Sequence, residues 1–149
     1  MKGMTIIVKT ISSWVKVLIF IFGIYIILFG HLTPGGGFAG GVILASSYVL
    51  LMLAFGGDFV QKDLPLALDS KLDCLGAIMF VMIAILGSVF SGAFLANFLV
   101  DKYGAPLELL SAGTIPLSNI AIGLKVGASL FLVIFSLSIC HKGAELDGE

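Results

Sequence analysis

The chain has 149 residues, of which 59% are hydrophobic and 11% charged, and a formal net charge of −1. Soluble domains carry about a quarter charged residues, so this composition, with a mean hydropathy of +1.17, reads as an integral membrane protein. The near-zero charge and the lack of any basic run exclude a nucleic-acid partner. Continuous apolar runs without period-two alternation point to a helical bundle and not a barrel.

The first predicted span runs from about Thr10 to Gly30. Lys2, Lys9 and Lys16 precede its apolar stretch as they would in a signal peptide, but no small-residue cleavage site follows, and a retained span is expected. Trp14 stands where an interfacial aromatic belongs, and Lys16 is close enough to that end to snorkel.

Val17 to Gly57 is a run of about 40 residues without Asp, Glu, Lys or Arg, too long for one span and suited to two. Its break is the stretch Gly30-His31-Leu32-Thr33-Pro34-Gly35-Gly36-Gly37-Phe38-Ala39-Gly40-Gly41. Proline removes a donor and glycine carries the largest backbone entropy cost, so a helix entering this stretch ends there. The reading is a helical hairpin with a Pro-Gly hinge. The glycines are no phosphate cradle, because the G-K-[ST] continuation and a preceding strand are absent. Broken backbone at membrane depth requires cover by protein or water, so the hinge is expected to pack against a neighbour.

The second span covers about Phe38 to Phe55, with Gly37, Gly41 and Ala45 spaced by four as a smooth face. Asp58 to Lys71 reads as a polar loop with an interfacial portion around Pro65. The third span, about 73–100, is uncharged over about 27 residues, enough to cross with tilt. Ala84, Ser88, Gly92 and Ala96 give it a small-residue strip suited to helix packing. A loop with Asp101, Glu108, Pro116 and an interfacial leucine cluster follows. The fourth span covers about Asn119 to Cys140, with Ser118 or Asn119 as its cap and Gly123 and Gly127 as a G-x-x-x-G pair. The whole is one small all-α membrane domain of four spans. Placing the N-terminus inside puts roughly six lysines on the cytoplasmic side and one, Lys102, outside, which supports an N-in, C-in topology.

Lys125 is the most informative residue, since a lysine inside an apolar span costs about 2.5–3.5 kcal/mol even on the insertion scale. Two readings stand. From about six residues, or about 9 Å, into its helix it could snorkel to the surface; desolvated within the bundle it could exchange a proton or meet a partner subunit. His31 sits at the outer end of the first span and can change charge near neutral pH, or it can serve as an interfacial partner for a carbonyl freed by the break. Asn97, Asp101 and Glu108 belong to the same outer layer and are the in-chain candidates to pair with Lys125, or else ordinary loop and helix-end residues. Cys74 and Cys140 are isolated and read as free thiols. No metal-ligand cluster, nucleophile-base pair or paired intramembrane carboxylates stands out, so neither a metal, a cofactor nor catalysis is expected of this chain.

Two motifs taken together, His31-x-x-Pro34-Gly35-Gly36-Gly37-Phe38-x-Gly40-Gly41 and Pro116-x-x-Asn119-Ile120-x-Ile122-Gly123-Leu124-Lys125-Val126-Gly127, resemble the MrpB family, small membrane subunits of Mrp-type multisubunit sodium/proton antiporters. The resemblance covers most of the chain. It implies a small non-catalytic, multi-pass subunit of a prokaryotic plasma membrane, assembled beside antiporter-like subunits in a complex that exchanges sodium ions and protons. It also implies an alternative, since relatives of this family occur in the ion-pumping arms of complex I-like enzymes such as membrane-bound hydrogenases and ferredoxin-dependent reductases.

Overall fold

The structure is a computed structural model that describes residues 4–99 and 112–146. Within them the chain forms α1 (Ile6–Phe29), α2 (Gly37–Phe55), α3 (Gly57–Asp63), α4 (Leu66–Ser91) and α5 (Ile115–Leu146). The described residues contain no strand. α1, α2, α4 and the Ile115–Cys140 part of α5 are each long and apolar enough to cross a membrane. The chain is an all-helical, multi-pass membrane protein.

These segments are rich in Ile, Val and Phe, which are mediocre helix formers in water. In lipid the preference is irrelevant, because only a helix satisfies its backbone groups within a single segment. Their hydroxyls obey the same constraint: Thr10, Ser46 and Ser47 each bond back to a carbonyl in the preceding turn, at 3.0, 2.7 and 2.6 Å.

The four long helices pack in the order α1, α2, α5, α4, with a lesser contact between α1 and α5. Glycines set the spacing. On α2, Gly40 faces α1, where a Cβ would sit 3.0 Å from the Gly23 carbonyl oxygen. Gly41 faces α5, where a Cβ would sit 2.8 Å from the Gly123 carbonyl oxygen and 3.1 Å from the Gly127 nitrogen. Two adjacent glycines thus let one helix approach two neighbours on different faces. α4 meets α5 in the same way through Gly76, whose Cβ would lie 2.7 Å from the Lys125 backbone nitrogen. The end of the bundle near α3 is closed by a cluster of Leu51, Met52, Val60, Phe131 and Phe135.

The Pro-Gly hinge turns through hydrogen bonds from the Leu32 and Thr33 nitrogens to the Phe29 carbonyl, each 2.9 Å. Gly36, at φ +124°, takes a conformation open only to glycine and starts α2. Gly36 and Gly37 are buried, whereas Pro34, Gly35 and Phe38 are exposed.

The structure corrects several sequence-based expectations. Asp58 to Lys71 is not a loop: Pro65, which preorganises φ at a helix start, caps α4, so Asp69, Lys71 and Asp73 are helical. The third helix is Leu66–Ser91 and not 73–100, because Gly92 takes a left-handed conformation at φ +72° and its N–H bonds to the Ser88 carbonyl at 3.0 Å. Gly92 is therefore a helix stop, and within this chain a Cβ there would meet nothing within 4 Å. The last long helix begins at Ile115, so Pro116 lies in its first turn, where a missing N–H costs nothing. Asn119 does not cap that helix; its Oδ1 accepts the Gly37 N–H at 3.3 Å and caps α2 instead.

Candidate functional site

The Lys125 ammonium is not carried to the end of its helix. Its Nζ donates to Asp73 Oδ1 at 2.7 Å and to Ser129 Oγ at 2.6 Å. The Ser129 hydroxyl in turn donates to the same Asp73 oxygen. Lys125 and Ser129 are four residues apart on α5 and share one face. Asp73 comes from α4, and Gly76, one turn farther along, brings the two backbones close enough for the short contacts.

Depth gives the cluster its meaning. Because α5 starts at Ile115, Lys125 lies ten residues in, about 15 Å along the axis. Asp73 lies seven residues into α4, about 10 Å along its axis, so both groups fall inside candidate spans and not at their ends. A lone ammonium there is expensive, and a neighbouring carboxylate turns two costly ions into a neutral, hydrogen-bonded set. The set is not sealed inside the chain, since the Lys125 and Asp73 side chains keep 44% and 27% of their exposure. A groove of about 230 Å³ beside it is lined by Ala77, Phe80, Val81 and Ile122. An arrangement of this kind can hold a proton or cation in exchange for the ammonium, or receive a polar group from another subunit.

The other sequence candidates lie elsewhere. Asn97 does not pair with Lys125: its Nδ2 donates to the Ala112 carbonyl at 2.8 Å, and its Oδ1 accepts from the Thr114 nitrogen and hydroxyl at 2.9 and 3.1 Å. It ties the end of α4 to the start of α5. Asp101 and Glu108 lie outside the described residues. His31 is half-buried in the hinge turn, whereas the partners of Lys125 are Asp73 and Ser129. The Lys16 Nζ stands 4.5 Å over the Tyr48 ring, a cation–π contact. Cys74 and Cys140 are free and exposed. Among the described residues no group of His, Cys, Asp and Glu is arranged to hold a metal ion.

Sequence reasoning missed Asp69 and Asp73. The available signal was spacing: Asp69 and Asp73 repeat at four, as do Lys125 and Ser129, which places each pair on one helical face. Treating Pro65 as the centre of a loop left Asp69 in that loop and Asp73 at the very start of the third span, and hid that match.

A family model described as "Domain related to MnhB subunit of Na+/H+ antiporter" matches residues 7–143. Among curated proteins, "Uncharacterized protein MJ1307" of Methanocaldococcus jannaschii is 39% identical over 146 residues; the alignment covers 93% of this chain but 53% of that protein, so the chain spans about half of its length. "Putative antiporter subunit mnhB2" of Staphylococcus aureus is 32% identical over 139 residues, covering 93% of this chain and 97% of the relative. With a family match over nearly its whole length and a full-length relative at this identity, the chain belongs to the family of domains related to the MnhB subunit of Na+/H+ antiporters.

Proposed function

We propose that this chain is a small non-catalytic membrane subunit of an Mrp-type multisubunit sodium/proton antiporter in a prokaryotic plasma membrane. It helps to assemble the complex and contributes the Asp73, Lys125 and Ser129 cluster to the ion path. The observation that carries the proposal is the position of that cluster: a charged pair between two candidate membrane spans, on the partly exposed surface of the four-helix row. Lipid is a poor neighbour for such a pair. A membrane helix of another subunit, seated along the α4 and α5 groove, would cover it and leave a polar seam between the two proteins. The lysine asymmetry supports an N-in, C-in orientation, with the Pro-Gly hinge on the outer face.

Lys125 is then the group whose charge is exchanged along the seam. Lys125→Ala is expected to leave the complex assembled and to lower sodium/proton exchange in membrane vesicles severalfold. Lys125→Arg is expected to rescue poorly, since arginine keeps its proton. Wild-type exchange in both variants, with normal subunit recovery, would refute the ion-path role. Purification in mild detergent tests the assembly: antiporter-like subunits are expected to accompany the chain, and iron-sulfur proteins in their company would move it to the arm of a redox-driven pump.

A further inference from the structure

One turn before Asp73 on α4 lies Asp69, whose residue is only 2% exposed. Among the described residues, its Oδ2 is buried without a hydrogen-bond partner. Buried polar atoms are rarely left so, and each exception calls for an explanation. Asp69 lines a half-open cavity of about 170 Å³ between all four long helices, with Phe20 from α1, Tyr48 from α2, Leu72 from α4 and Phe131 from α5 in its wall. This cavity is separate from the groove beside Lys125, and the cluster of Asp73, Lys125 and Ser129 does not line it.

The lining decides what can complete the carboxyl group. Hard metal cations are held by several oxygen ligands, and among the described residues the only polar side chain in this wall apart from Asp69 is the Tyr48 phenol. A proton needs Oδ2 alone. Bound there, it turns a lone acceptor into a hydroxyl donor and removes a charge from surroundings made of carbon. The volume has room for a water beside the carboxyl group, with the Tyr48 phenol as the second polar side chain in the wall, and such a water can accept from that hydroxyl and carry the proton away. The charged and titratable neighbours fit a proton site. On α4, Asp73 lies one turn along, and on α5 Lys125 holds Asp73. On α2, Tyr48 shares the cavity, and on α1 Lys16 stands over its ring. α3 sends Val60 into the adjoining core and Lys62 to the surface.

We infer that Asp69 is a proton-binding site, a buried carboxyl group that takes up and releases a proton through the cavity between α1, α2, α4 and α5. The site deepens the antiporter reading and rests on it only for where the proton goes next. Dicyclohexylcarbodiimide, which reacts with protonated carboxyl groups in apolar surroundings, tests it in membranes carrying the assembled complex, with the adduct located by mass spectrometry of this chain. Asp69 is expected to carry the adduct at acid pH and to lose it progressively toward alkaline pH, equally in sodium chloride and in choline chloride. Asp69→Asn is expected to abolish that adduct and Asp73→Asn to keep it. No adduct on Asp69 at any pH, or protection by sodium but not by choline, would overturn the proposal. The labelling does not depend on transport: a labelled Asp69 in a chain that copurifies with no antiporter subunit keeps the proton site and removes the proposed function, whereas an exchanging complex with Asp69 unlabelled does the reverse.

Discussion

The crossing of α2 and α5 offers a sharp test, because two glycines that look alike in sequence occupy unlike places. A Cβ on Gly41 would lie 2.8 Å from the Gly123 carbonyl oxygen, 2.9 Å from Val126 Cβ and 3.1 Å from the Gly127 nitrogen. Carbon contacts are optimal at about 3.5–4.0 Å, and two of those three atoms are backbone that cannot rotate away. Gly41→Ala must therefore push the helices apart. A Cβ on Gly127 would lie 3.5 Å from the Gly41 carbonyl oxygen and 3.7 Å from Leu44 Cβ, which is ordinary contact. Both changes replace a glycine inside a membrane helix by alanine, so any intrinsic gain cancels in the comparison. What remains is overpacking at Gly41, about 1–3 kcal/mol. Heating each purified variant in mild detergent and following the monodisperse fraction by size-exclusion chromatography reads the difference, expected as a midpoint several degrees lower for Gly41→Ala than for Gly127→Ala. Equal midpoints, or a larger loss for Gly127→Ala, would refute the assigned packing.

Two further outcomes follow from the hinge. Asn119→Ala removes the acceptor that caps α2 from a neighbouring helix and is expected to cost about 0.5–1 kcal/mol, the lower part of the range for lost caps given the 3.3 Å contact; Asn119→Asp, which keeps the acceptor, should recover most of it in the same heating assay. With Cys74 and Cys140 replaced by serine, a membrane-impermeant maleimide is expected to label Pro34→Cys in intact cells and Gln61→Cys only after permeabilisation. Both parent residues are exposed, and the reverse pattern would overturn the N-in orientation.

The sequence by itself determined that this is a membrane protein of four helices with a break at Pro34 to Gly37. Those conclusions follow from solvent: a run of about 40 uncharged residues cannot sit in water, and lipid allows it little but helix. The sequence also singled out Lys125, because the cost of an intramembrane charge does not depend on what surrounds it until a partner is known. Local rules then reached their limit at the helix ends. Pro65 is as compatible with a loop as with a helix start, and Gly92 as compatible with a packing face as with a left-handed stop; each was decided by where the chain had to turn. The partners were a matter of tertiary structure alone. Asp73 meets Lys125 across 52 positions of sequence, and Asn119 reaches the start of α2 across 82. Both contacts exist because Gly76, Gly41 and Gly37 let helix backbones approach until short polar side chains from different helices share one space.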